Sequence, residues 1–189
     1  MNTSSTGSER SFRIGKIRKL TLLAALAACI AGCTVIDRTP ETRLDPLAGW
    51  VLLPMANHTE TPQAGLRAEA IIETLLRSAG LMQLERYPAS LDAESLFDPA
   101  ERKTQEKAFA WAKTRKARYA VSGSIDEWRY KVGVDGEPAV GMAVSVTDLD
   151  TGAVVYSAAG GKTGWSREAL SAVAQKLARE LLSGVRPAR

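Results

Sequence analysis

Few side chains in this chain are equipped for chemistry. Of 189 residues one is a histidine, His58, and two are cysteines, Cys29 and Cys33. Ser-His-Asp catalysis would have to use His58, yet no Gly-x-Ser-x-Gly turn is present to raise a nucleophile beside it. Within the polar stretch Asn57-His58-Thr59-Glu60-Thr61-Pro62 a lone imidazole reads as a solvated or capping loop residue. Gly160-Gly161-Lys162-Thr163 has the ending of a phosphate-binding loop, in which backbone N–H groups and a lysine hold the anion. That motif needs a glycine five positions before Gly161, where Tyr156 stands, so the segment reads as a Gly-rich connector ahead of a helix. No catalytic residue and no cofactor is expected.

The cysteines belong to a different kind of chemistry. Arg10, Arg13, Lys16, Arg18 and Lys19 precede an apolar run from Leu20 to Ile30, which ends in Ala31-Gly32-Cys33. A basic head, about eleven apolar residues and small residues at a cleavage point are the parts of an export signal. A spanning helix would need roughly twenty apolar residues. Ile30-Ala31-Gly32-Cys33 resembles the bacterial lipobox, in which a peptidase cuts before a cysteine that carries a diacylglyceryl group, with fatty acyl chains such as palmitate. On that resemblance residues 1–32 are a lipoprotein signal peptide and Cys33 is the lipidation site. Thr34 after it, in place of aspartate, implies sorting to the outer membrane, lipid-anchored on its periplasmic face. Two or three acyl chains anchor stably, each methylene contributing about 0.8 kcal/mol. Cys29 leaves with the signal and Cys33 is acylated, so no thiol remains for a disulfide, and a metal site would need carboxylates around His58 alone; none is expected.

The formal charge of +4 has the same origin. Residues 1–32 hold five bases against Glu9, which leaves 20 bases and 20 acids in the remainder. The mature protein is neutral, and nothing in its charge calls for nucleic acid. Two tracts are nonetheless polarised. Asp98 to Arg118 carries seven bases against three acids, whereas Asp135 to Asp150 carries Asp135, Glu137, Asp148 and Asp150 with no base. In a monomer each is a solvated face; in a ring the acidic loop would repeat around the axis and its field would add. Trp165 stands between Gly164 and Ser166 with Lys162 and Arg167 close by. Tryptophan among cations suits the lipid headgroup boundary, and a staple onto the protein's own core is the alternative.

The elements that must position these residues follow from spacing. Residues 33–48, with Pro40 and Pro46 among polar residues, read as a lipidated tether reaching about 50 Å when extended. A single domain over residues 49–189 opens with a buried strand, Gly49 to Leu53, closed by Pro54. Leu66, Ala70, Ile71, Leu75, Leu76 and Ala79 recur at helical spacing from Gln63 to Ala79, with Thr61 as N-cap, Pro62 at the first position and Gly80 as the stop. A short strand near Leu81 to Tyr87, a helix from Asp98-Pro99 to about Lys116, and strands over Tyr119 to Val134 and Ala139 to Asp148 come next. In the last of these Val140, Met142, Val144 and Val146 alternate with small residues, which buries one face. A turn at Asp148 to Gly152 leads to a strand over Ala153 to Ser157, and a helix from about Ser166 to Ser183 ends the chain. The order indicates an α/β (α+β) layer fold, a mixed β-sheet with three main helices.

Trp50-Val51-Leu52-Leu53-Pro54, Asn57, Glu60-Thr61-Pro62-Gln63-Ala64-Gly65, Trp128-Arg129-Tyr130-Lys131, Asp135-Gly136-Glu137-Pro138 and Gly164-Trp165 together resemble the PelC family, outer-membrane lipoproteins of Pel exopolysaccharide export. More distantly the layout is similar to TolB-like and CsgG-like periplasmic domains. The PelC resemblance implies a non-enzymatic homo-oligomer, a ring of twelve on the inner leaflet of the outer membrane beside the PelB porin, guiding a cationic polysaccharide. It implies Asp135 and Glu137 for the lumen, Trp165 for the membrane contact with Lys162 and Arg167 beside it, and subunit contacts for Arg129 and Lys131. The alternative reading is an LpoB-like lipoprotein that activates a peptidoglycan synthase. A CsgG-like pore would need amphipathic strands of about ten residues, for which Asp135 to Asp150 is a poor candidate.

Overall fold

The computed structural model describes residues 34–88, 101–133 and 136–187. The signal segment, Cys33, Asp98-Pro99 and Asp135 lie outside the described residues. In chain order the strands are β1 (Thr34–Arg38), β2 (Thr42–Leu44), β3 (Trp50–Asn57), β4 (Leu84–Arg86), β5 (Tyr119–Tyr130), β6 (Pro138–Asp148), β7 (Val154–Thr163) and β8 (Val185–Pro187). The helices are α1 (Ala64–Ser78), α2 (Glu101–Lys113) and α3 (Leu170–Leu182). This is the mixed α/β class expected.

One open sheet of six strands, in the order β1-β7-β6-β5-β3-β4, organises the chain, and β2 pairs with β8 in a parallel two-stranded ribbon. β3 is parallel to both β4 and β5, while β5, β6, β7 and β1 form an antiparallel series. Trp50-Val51-Leu52-Leu53 is an unbroken apolar run because β3 is covered on both faces. On one face Trp50 and Leu52 join the valines of β6, Tyr156, Ile72 and Leu76 of α1, and Val173, Leu177 and Leu181 of α3. On the other, Val51, Leu53 and Ala120 meet Ala108 and Ala112 of α2. Burying each Leu or Ile fully is worth about 1.5–3 kcal/mol, so these two clusters hold the layers together. α2 packs against β3. Farther along that face Ser122, Ser124, Gly141, Ala143, Ser145, Ser157 and Ala159 stand in register, and none of them is fully buried.

Several boundaries differ from those the sequence suggests. The segment read as a tether is built into the fold. Thr34 to Arg38 pairs with β7 from Thr34↔Lys162 to Arg38↔Ala158, and Thr42 to Leu44 pairs with β8. Thr34, Val35 and Ile36 are β-branched, and their partners lie more than a hundred residues away, so local composition does not reveal the pairing. Pro54 does not close β3. The ladder shifts register between Leu52 and Met55, and the strand runs on to Asn57. A proline has no N–H to give, and a bulge is where a strand tolerates one. The polar groups around that bulge find partners: Met55 N–H donates to Glu69 Oε1 at 3.0 Å and Gln105 Nε2 donates to Pro54 O at 2.7 Å. Glu69 is itself buried, and its Oε2 accepts from Arg86 Nε at 3.1 Å and Nη2 at 2.7 Å.

Gly160 to Thr163 is the end of β7 and not a connector. A Cβ on Gly160 would lie 2.5 Å from Val35 O, so the glycine lets β1 approach. The N-cap of α1 is Gln63, in the left-handed region at φ 59°, with no side-chain cap. The Thr61 hydroxyl donates instead to Trp128 O across the sheet. Gly80, at φ +97°, ends α1 as expected. The last helix begins at Leu170, which leaves Trp165 in the turn before it.

Candidate functional site

The antiparallel register brings four strand ends to one end of the sheet. Thr34 pairs with Lys162, Lys162 with Val140 and Val140 with Trp128. Beyond that row lie Thr163 and Gly164 on one side, and Tyr130 paired with Pro138 on the other. The acidic hairpin and the Trp165 turn are therefore neighbours, although 25 or more residues separate them in sequence.

The hairpin is closed by Lys131 N–H donating to Glu137 O at 2.7 Å, and the Glu137 side chain is exposed. Gly136 takes φ +53°, a conformation that favours glycine. Asp135, the other lumen candidate, falls outside the described residues. From Pro138 the structure passes directly to the Trp165 turn, because Gly164 N–H donates to Pro138 O at 2.9 Å. The turn is shut by Glu168 N–H donating to Trp165 O at 2.8 Å. A Cβ on Gly164 would meet Val173 Cγ2 at 2.5 Å and Glu168 Oε2 at 2.6 Å, so any larger residue here would displace those side chains. The Tyr130 hydroxyl accepts from Leu170 N–H at 3.2 Å and donates to Glu168 O at 3.4 Å, which fastens the hairpin to the start of α3. Glu168 is drawn below its ordinary carboxylate value chiefly by the 2.6 Å hydrogen bond from Lys176, against the opposing effect of burial.

Trp165 is 59% exposed and Arg167 is exposed in the same turn. Lys162 points elsewhere: its ammonium bonds Glu180 Oε1 at 2.8 Å and Thr34 Oγ1 at 2.7 Å, and only 16% of its side chain is accessible. Its charge is spent inside the protein, pinning β1 and β7 to α3. Arg129 is likewise engaged, with Glu127 Oε1 at 3.0 Å.

The acidic tract of the sequence does not form one patch. Asp148 and Asp150 stand at the opposite end of β6 from Glu137. Asp148 is buried, where it accepts from Arg118 Nε at 3.2 Å and from the N–H groups of Asp150 and Thr151 at 3.0 and 3.2 Å. The basic tract is partly neutralised too: Arg115 pairs with Glu85 at 2.9 Å and lies 4.9 Å from the centre of the Trp111 ring.

A second acidic feature was not apparent from sequence. His58, Glu60, Asp126, Glu127 and Arg129 line an open cleft of about 760 Å³. His58 Nδ1 lies 2.8 Å from Asp126 Oδ1, and Ser124 Oγ donates to Asp126 Oδ2 at 3.3 Å, so the serine turns to the carboxylate and not to the imidazole. The register of β5 against β6 shifts between Ile125 and Glu127, and such a bulge re-aims the side chains it carries. The only local sign is two adjacent acids inside an otherwise strand-like run.

No protein-family model matches the sequence, and no curated protein is significantly similar to it. Solved structures are. A PelC dodecamer from Paraburkholderia phytofirmans is 38% identical over 83% of this chain and 100% of its own, with a TM-score of 0.70. A dodecamer of a single-substitution variant of PelC from the same organism is 39% identical over 82% and 100%, with a TM-score of 0.71. Lipoprotein GNA1162 from Neisseria meningitidis, 13% identical over 72% of this chain and 96% of its own at a TM-score of 0.52, shares the fold alone. Identity of this level across the whole of the matched chains, on a sheet that carries the Gly164-Trp165 turn beside the acidic hairpin, shows that the chain belongs to the PelC family.

Proposed function

We propose that this protein is a non-enzymatic, lipid-anchored component of the periplasmic face of the outer membrane that assembles into a homo-oligomeric ring of twelve and guides cationic Pel polysaccharide to the PelB porin. The observation that carries the reading is the 38–39% identity to PelC dodecamers, spanning all of those chains. Lipidation at Cys33 is supported by the lipobox-like Ile30-Ala31-Gly32-Cys33.

The mechanism is electrostatic concentration. One exposed carboxylate at Glu137, with Asp135 two residues before it, is a weak attractor for a polycation in water. Repeated around a closed ring the same groups act together on a polymer that passes within the screening length of about 8–10 Å, and their fields add. Each contact stays weak, so the chain is held near the opening without being arrested. Trp165, with Arg167 beside it, meets the headgroup layer, where an indole is stable with its ring apolar and its N–H wet.

The test combines assembly and export. The purified acylated protein is expected to have the mass of a dodecamer in detergent, and a double Asp135→Ala, Glu137→Ala variant is expected to keep that mass while secreted polymer falls severalfold. A protein that stays single at envelope concentrations, or export unchanged by the double variant, overturns the reading.

A further inference from the structure

We infer that the described part of the β5–β6 hairpin tip, residues 131–133 with the fully exposed Val132, is a membrane-contacting element that seats in the lipid headgroup layer beside Trp165. The inference rests on Cys33 being the acylated residue. The side chain of Val132 is fully exposed, at 101%, and Tyr130 before it is half exposed. Tight hairpin connections favour Gly, Asn and Asp, and a β-branched side chain offered wholly to water gains nothing from the fold. Its position supplies a reason. Thr34, which directly follows Cys33, is level with Lys162, Val140 and Trp128 across the sheet. β5 continues two residues past Trp128 to Tyr130, roughly 7 Å at strand rise, before the tip begins. The tip thus projects farther than the first described residue of the anchored strand, and a bilayer holding the acyl chains of residue 33 meets it.

The chemistry fits a lipid surface. Val132, Trp165 and the Tyr130 ring are apolar or amphipathic, while Lys131 and Arg167 are exposed cations suited to lipid phosphates. Asp135 and Glu137, the acids proposed for the lumen, follow Val132 on the same hairpin, so the tip reaches only the headgroup level, where their carboxylates stay in water. Of the other exposed apolar side chains, Val35 lies beside Thr34 at the anchor end and Leu66 is on α1, whereas Leu47, Met82 and Val154 belong to the opposite end of the sheet.

Spin labels distinguish the occupants. Val132→Cys and Val154→Cys variants of the mature acylated protein are labelled and reconstituted into vesicles of phosphatidylethanolamine and phosphatidylglycerol. Accessibility to dissolved oxygen and to a water-soluble nickel chelate is then read by power saturation, and flotation reports the anchor. The label at 132 is expected to favour oxygen over the chelate severalfold and the label at 154 to favour the chelate. A floating protein whose label at 132 behaves like that at 154 overturns this inference and leaves the anchor standing. A label at 132 shielded from both reagents means that a second copy covers the tip, and overturns it equally. Failure to float removes the anchor and this inference together.

Discussion

At the scale of single residues, the two acids buried among the described residues, Glu69 and Asp148, hold backbone. Glu69 satisfies the Met55 N–H at the β3 bulge, and Asp148 organises the turn between β6 and β7. For Asp148 burial acts to raise the carboxyl, but the Thr151 N–H, the Arg118 guanidinium and the Asp150 N–H outweigh it and leave the group below its ordinary value of 3.8. A carboxyl depressed in the folded state contributes stability that is fully present above its unfolded value and is lost as the pH falls through the lower folded value. Stability is therefore expected to decline on acidification from about pH 4 downward, and Asp148→Asn should flatten that part of the profile while lowering stability at neutral pH. Urea unfolding of both proteins across the acid range is the measurement. Parallel profiles would show that Asp148 does not carry the dependence.

At the scale of elements, a helix start and a hairpin are joined by one hydroxyl. α3 has Ala169 at its N-cap, with no side-chain cap and no acid in its first turn. Its first N–H groups need acceptors, and Leu170 finds one in Tyr130 from β5. Tyr130→Phe is expected to leave the fold intact and to cost about 1 kcal/mol. It should also raise the exchange rate of the Leu170 amide well above that of interior α3 amides; an unchanged rate at Leu170 would show that the contact does no capping. This cap also marks the boundary of what sequence reveals. α1, the apolar stripe of α3 and the alternation of β6 are written in local spacing, as is the Gly80 stop. β1 is not, because an exposed edge strand buries little and its pairing with β7 is a long-range fact. The same holds for the site. Trp165 and Glu137 stand out by residue type, but their adjacency depends on the Gly164 to Pro138 hydrogen bond, and the pairing of Lys162 with Glu180 on the packing of α3. The cleft at Asp126 comes from a bulge, which no periodicity signals.

At the scale of the whole molecule, under the proposed lipidation of Cys33 the incorporation of β1 into the sheet removes the slack between lipid and domain. A free tether of fifteen residues would let the domain wander and turn above the bilayer, and its acidic hairpin would point in every direction. With Thr34 bonded to Lys162, and Lys162 to Glu180 of α3, the residue after Cys33 is fixed to the same end of the sheet as Trp165 and Glu137. Orientation is then a property of the fold. Restoring the slack tests this. Sixteen Gly/Ser residues inserted between Thr34 and Val35 keep Thr34 next to Cys33, sacrifice one pair of the β1–β7 ladder, and introduce an end-to-end span of roughly 20–24 Å. The altered protein is expected to fold with an unchanged unfolding midpoint and to float with vesicles as before, because the acyl chains and the sheet are intact. Polymer export should nonetheless fall severalfold, since domains that no longer share one height and one tilt on the membrane cannot bring their carboxylates to a common opening. Export at the original level from the lengthened chain would mean that assembly alone orients the domains, and that the strand beside the anchor serves stability only.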